Sequence, residues 1–194
     1  QHITNTLGAN GIFSIKDATS TFLTLNQNNG LLNLNYSVKL PNTTAQNVGV
    51  IYKGNEWFLH NYGLWNTFLG INSGNFTMTG YGNTSLGFNS LLNTTTGWGN
   101  TSLGANSLNT GAYENTAVGG SSLRHNTGYQ NTAVGYQSMT DNTTGIRNTS
   151  VGCYSLRANT TGYDNTGIGY WSLYNNTTGF YNTALGFQSS YSTT

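Results

Sequence analysis

Three histidines, five carboxylates, one cysteine and a recurrent glycine are the first residues of this chain to weigh for chemistry, and the titratable ones are few for 194 residues. His2, His60 and His125 stand far apart, and none has a metal-ligand partner at a spacing that would close a site. Asp17, Glu56, Glu114, Asp141 and Asp164 offer no pair suited to general acid and base work. Cys153 has no nucleophile motif around it. The glycines of G-x-x-N-T-x-x-G come without a lysine and without the strand–loop–helix context of a phosphate loop. The expectation is a protein that is not an enzyme, with no metal and no cofactor.

The elements that carry these scattered residues follow one period. An Asn-Thr pair recurs at Asn66, Asn83, Asn100, Asn115, Asn131, Asn148, Asn165 and Asn182, at intervals of 17, 17, 15, 16, 17, 17 and 17 residues. A steady repeat of this length means stacked structural units. Gly, Asn and Thr are poor helix formers, and no 3.6-residue apolar period is present. An all-β fold is predicted: a parallel β-roll or β-solenoid over residues 63–194, about eight repeats long, one turn per repeat. Eight rungs at about 4.8 Å make a rod of about 38 Å.

The columns of the repeat predict which way side chains face. Three residues after each Asn stand Leu69, Leu86, Leu103, Val118, Val134, Val151, Ile168 and Leu185, a strictly aliphatic column expected in the core. Eight after the Asn stand Leu91, Leu108, Leu123, Met139, Leu156 and Leu173, a second inward column that Gly74 and Ser190 interrupt at the ends. The glycine after the first aliphatic column (Gly135 in one copy) predicts a backbone corner with positive φ or no room for a Cβ. Alternation places the Thr after each Asn on the same side as the aliphatic, and stacked Asn and Thr are expected to form hydrogen-bond ladders. Two before the Asn the column is apolar and mostly aromatic, with Tyr81, Trp98, Tyr129, Tyr163 and Phe180 as candidate ligand or subunit contacts. The column one before the Asn is unrestrained and reads as solvent-facing; Arg147 and Asp164 stand there one rung apart, an exposed ion pair of little worth. Cys153 shares a column with Phe88, Tyr136 and Tyr170 and reads as an ordinary occupant.

G-x-x-N-T-A-[VL]-G, as in Gly128–Gly135 and Gly179–Gly186, resembles the head repeat of trimeric autotransporter adhesins, and resembles still more the longer repeats of secreted bacterial tail-fibre-domain proteins. The resemblance covers Gly63 to about Ser190 and rests on eight recurrences. It implies a parallel β-roll assembled as a homotrimer. The adhesin-head repeat is shorter; the extra N-T-T segment (Asn142–Thr144, Asn159–Thr161, Asn176–Thr178) is expected to widen one turn. The segment Gly49–Gly63 also looks like the lead-in that precedes such repeats.

Residues 1–62 follow a period of two. Gly11–Asp17, Phe22–Asn26 and Leu32–Leu40 are strand candidates, the last with Leu32, Leu34, Tyr36, Val38 and Leu40 on one buried face. Asn28-Asn29-Gly30 is a turn signal. Val50–Lys53 and Glu56–Leu59 flank Gly54-Asn55, a two-residue hairpin turn. This small β module is expected to cap the coil or to serve as an interaction module.

Only 6% of residues are charged and the net charge is +1. That argues against nucleic acid, which needs a basic surface. No stretch is long enough to span a membrane. Gln1 fits a mature end left by a signal peptidase or a boundary cut within a longer chain. The N-x-S/T sequons fall out of the repeat itself. The leading expectation is an extracellular, secreted or surface structural protein, a fibre or filament subunit. Its partner is itself, as a homotrimer or as an end-to-end polymer that stacks on an open β-coil end. The alternative is an adhesin head whose aromatic files, with Trp65 and Trp171, meet cell-surface glycans; against it, the same rings pack between rungs or chains. A minor alternative is ice binding, for which the single Thr rank falls short of the two outward ranks expected.

Overall fold

The computed structural model describes residues 4–7, 12–16, 21–26, 31–34, 39–46, 48–110 and 113–191. Every element among them is a β-strand. The chain forms two compact units, Gln1–Leu40 and Pro41–Thr194. The division lies at 40/41 rather than at 62/63, where the repeat alone would put it.

The first unit is an antiparallel sheet of β1 (Thr4–Leu7), β2 (Ile12–Lys16), β3 (Thr21–Asn26) and β4 (Leu31–Leu34), paired in that order. Two of the expected strands are β2 and β3. The third is present only as β4, and it exposes Leu32, which alternation had placed on a buried face. Its continuation over 35–38 and the turn at 28–30 lie outside the described residues.

The second unit opens with the expected hairpin, β5 (Ile51–Lys53) and β6 (Glu56–His60), turning at Gly54 with φ 66°. β6 pairs antiparallel with β7 (Thr67–Leu69), Leu59 opposite Leu69 and His60 opposite Phe68. This pairing is why the hairpin belongs with the repeats. From β7 onward all pairing is parallel and in register: β8 (Thr84–Leu86), β9 (Thr101–Leu103), β10 (Thr116–Val118), β11 (Thr132–Val134), β12 (Thr149–Val151), β13 (Thr166–Ile168) and β14 (Thr183–Leu185). The protein is a β-solenoid with one three-residue strand per turn.

Turns make up the rest of each coil, and their backbone is unusual. Among the described residues, twenty-one non-glycine residues have positive φ, between 41° and 58°, and all fall in three columns: one before the Asn, six after it and eight after it. The left-handed region is uncommon for such residues. Here neighbouring rungs fix it, as when the Gln137 and Met139 amides donate to the carbonyls of Gly120 and Ser155. The glycine column behaves as expected: Gly135 has φ 137°, and a Cβ there would stand 2.5 Å from the Gly152 carbonyl oxygen.

The interior corrects the column assignment. Leu91, Leu108, Leu123, Met139, Leu156 and Leu173 are fully buried, as expected. The column three after the Asn is not core. Leu86, Ile168 and Leu185 are 48%, 38% and 75% exposed, Leu103 and Val151 are exposed, and Leu69, Val118 and Val134 are half-buried. Alternation does put Thr and aliphatic on one side, but that side faces out. The residue between them faces in: Phe68, Ser85, Ser102, Ala117, Ala133, Ser150, Gly167 and Ala184 are all buried. The coil is too narrow for an aliphatic at this position when a leucine already fills it from the opposite wall. A Cβ on Gly167 would stand 2.9 Å from Ser155 Oγ and 3.3 Å from Leu156 Cγ.

Candidate functional site: the outer faces and the ladders that fix them

Three files of hydrogen bonds run through the coil and hold its outer faces rigid. The expected Asn ladder is present. Asn148 donates its backbone N–H and its Nδ2 to Asn131 Oδ1, at 3.0 and 3.2 Å, and Nδ2 also to the Gly162 carbonyl at 2.8 Å. Asn165 repeats the pattern on Asn148 Oδ1. A second Asn ladder runs through the N-T-T segment: Asn159 Nδ2 donates to Asn142 Oδ1 at 2.7 Å, and Asn176 Nδ2 to Asn159 Oδ1 at 3.1 Å. These amides are fully buried.

The third file is serine, and sequence reasoning missed it. Seven residues after every anchor Asn there is a Ser, from Ser73 to Ser189, an invariance as strict as that of the Asn itself. Six of the eight reach the inward strand residue of the next rung, whereas Ser107 Oγ turns to Ser102 Oγ and the Gly104 carbonyl of its own rung, at 2.6 and 2.9 Å. Ser138 Oγ lies 2.6 Å from Ser150 Oγ, whereas Ser155 Oγ, facing a glycine, donates to the Gly167 carbonyl at 2.9 Å. This is why, in every rung after that of Phe68, the inward strand position is Ser, Ala or Gly.

The outward side of the strands is a face of two parallel files, Thr and aliphatic, with Thr132 opposite Thr149 and Val134 opposite Val151. Thr was expected to join a ladder. Among the described residues, the hydroxyls of Thr84, Thr101, Thr116, Thr132, Thr149, Thr166 and Thr183 make no hydrogen bond. No charged residue occurs in any of the eight strand triplets.

The candidate aromatic contacts form a separate file in which rings stack on one another. Tyr81 and Trp98 lie 5.8 Å apart at 6°, Trp98 and Tyr113 5.6 Å at 39°, and Tyr163 and Phe180 5.1 Å at 3°. Tyr129 stands between Tyr113 and Ile146 in this column, and Tyr81, Tyr113, Tyr129 and Phe180 remain exposed. A further file, with Phe88, Tyr136, Tyr170 and Phe187 exposed, holds half-buried Cys153, whose thiol burial pushes up. Trp65 packs edge-on to Tyr81, and Trp171 contacts Tyr154, Tyr170, Tyr174 and Tyr191.

Where charged residues among those described meet, they meet in isolated pairs on the surface. Arg147 donates Nε and Nη2 to the two oxygens of Asp164, at 2.7 and 2.8 Å, and these bonds hold the Asp164 carboxyl below the usual carboxylate range. Arg157 lies 3.6 Å from Asp141, a pair on neighbouring rungs that the sequence reading did not single out. Glu114 accepts from Gln130 Nε2 at 2.9 Å. His60 is buried between the rings of Phe68 and Phe76, with Nε2 2.8 Å from the Ser73 carbonyl and Nδ1 3.3 Å from the Tyr62 amide. Among the described residues no three His, Cys, Asp or Glu side chains could hold a metal ion, and no helix is long and apolar enough to cross a membrane. His2 and Asp17 lie outside the described residues.

Comparison with protein families, with curated proteins and with solved structures returns no match.

Proposed function

We propose that this protein is a non-enzymatic, extracellular structural subunit that assembles with further copies of itself into a fibre. The observation that supports this reading is the file of rings, several of them exposed, two residues before most of the anchor Asn residues. Tyr81, Tyr113, Tyr129 and Phe180 are exposed along a coil whose buried anchor and N-T-T asparagines are already spent on its own ladders. An aromatic side chain contributes about 150–250 Å² when covered. A half-exposed file of this length, counted on two partners, reaches the roughly 1,000 Å² of a specific interface. Aromatic residues are also the type enriched in such contacts. The resemblance to adhesin heads and tail-fibre repeats points the same way and suggests three copies.

Glycan binding through the same file draws less support. Sugar stacking needs free ring faces, and those of Tyr81, Trp98, Tyr163 and Phe180 are turned to neighbouring rings.

Sedimentation of the purified chain across a concentration series, with electron microscopy alongside, tests the proposal. Trimers or longer rods are expected, and Tyr113→Lys with Tyr129→Lys should return them toward single chains. A monomer at every concentration would overturn the reading.

A further inference from the structure

On the Thr-aliphatic face the strand threonines keep their hydroxyls unbonded among the described residues, a file that runs the length of the coil. On another side of the turn, Thr127, Thr143 and Thr160 spend theirs on the carbonyls of Thr143, Thr160 and Thr177 in the next rung, at 2.8, 2.9 and 3.0 Å. The strand threonines spend none. Parallel register sets them directly opposite one another from rung to rung. The free hydroxyls therefore repeat at about 4.8 Å across the strands, and the aliphatic file lies about 6.6 Å further along each strand. Over the four rungs Thr116–Val118, Thr132–Val134, Thr149–Val151 and Thr166–Ile168, both files are β-branched, so their χ1 angles are restricted and their methyls stand at fixed positions. Behind the face, the Asn and Ser ladders hold each strand in place.

We infer that this face binds ice. A crystal face is recognised by a surface with a repeat of its own, and the rung spacing is close to the oxygen repeat along one axis of hexagonal ice. Free hydroxyls supply donors and acceptors at that repeat, and the methyls between them hold the intervening water in ordered positions. A surface already rigid loses little further freedom on binding. The absence of charge on the strand triplets does not suit an ionic mineral, whose lattice calls for carboxylates or cations. The inference does not depend on self-assembly through the aromatic file, which uses other side chains.

The test is ice-crystal shape and thermal hysteresis of the full chain, with solution mass measured on the same samples. The wild type is expected to facet ice crystals and to depress their growth temperature. Thr132→Tyr with Thr149→Tyr puts two bulky, strand-compatible side chains on the face and should abolish most of the hysteresis. Gln130→Tyr is the control, because Tyr181 already occupies that column, and it should keep the activity. Should the tyrosine pair fail to fold, Thr132→Val with Thr149→Val removes only the free hydroxyls and should lower the hysteresis at an unchanged melting temperature. Round crystals and no hysteresis from the wild type would overturn the inference, as would folded variants as active as the wild type. A change of mass in the tyrosine pair without loss of ice activity would assign the face to a second copy and overturn it too. Failure of the self-assembly reading shows separately, in the mass of the wild type.

Discussion

Phe68 and Gly74 exchange volume across the first turn of the coil. In later rungs the inward strand residue is Ser, Ala or Gly, and the position eight after the Asn is Leu or Met through Leu173. In the first rung the large side chain comes from the strand, and a Cβ on Gly74 would stand 2.6 Å from the Phe68 ring. The same pocket is filled from the opposite wall.

A leucine at position 74 would therefore meet the ring, although its φ of 66° is close to that of the buried leucines in the same column. Gly74→Leu should cost about 1–3 kcal/mol by overpacking, and Phe68→Ser alone about 3–5 kcal/mol through the cavity left behind. Phe68→Ser with Gly74→Leu restores the repeat's own pattern and should recover much of the loss. Urea unfolding of the four proteins closes the cycle; additive losses would show that the two positions do not share a volume.

The inversion of the strand gives a second measurement. Leu156 is fully buried, so Leu156→Ala should cost about 2–5 kcal/mol in the single chain. Ile168 is 38% exposed on the outer face, so Ile168→Ala should cost well under half of that. Thermal melts at low protein concentration, where copies do not cover the face, make the comparison. Equal losses would return the aliphatic column to the core.

The period, the Asn anchors, the glycine corners and the inward leucines were legible because each repeats in one column with one residue type. The facing of the strand was not. With three residues between Asn and Gly, alternation permits two solutions, and apolarity favours the one that buries Val134 and Ile168. Width decides otherwise, since even a Cβ on Gly167 would stand 2.9 Å from Ser155 Oγ and 3.3 Å from Leu156 Cγ, which leaves no space for a branched aliphatic. The serine column, beginning at Ser73, carried the missing signal: an invariant hydroxyl needs an inward partner, and only a small strand residue lets it reach one. The left-handed columns were hidden for another reason. Glu114, Gln130, Arg147 and Asp164 carry no mark of positive φ; only Gly82 and Gly99 in the same column hinted at it.

The Asn ladder makes a strong demand on chemistry. Asn148→Asp keeps the size and the acceptor for Asn165, but loses the donor to Asn131 Oδ1 and the Gly162 carbonyl. It also places a carboxylate where the native side chain is fully buried. A loss of about 3–5 kcal/mol at neutral pH is expected from an uncompensated buried charge. The variant should recover part of that loss in acid, where the carboxyl is protonated. A melting temperature within a few degrees of wild type at pH 7 would show that the ladder tolerates charge.

His60 sets the pH dependence of the first rung. Its ring lies 4.6 Å from Phe76 and 4.7 Å from Phe68, and burial lowers its pKa from the ordinary 6.5, with the bond to the Ser73 carbonyl opposing. With Nε2–H donating to Ser73, Nδ1 accepts from the Tyr62 amide and has no place for a second proton. Between the lowered folded value and 6.5 the unfolded chain binds more protons, so stability rises with pH across that window. The contribution is therefore full above about 6.5, falls as the pH drops below it and levels off below the folded value. Melts from pH 8 to pH 5 should show this decline in the wild type, whereas His60→Phe, which cannot titrate, should be less stable throughout but flatter across the same range. Parallel profiles for the two proteins would place the pH sensitivity elsewhere.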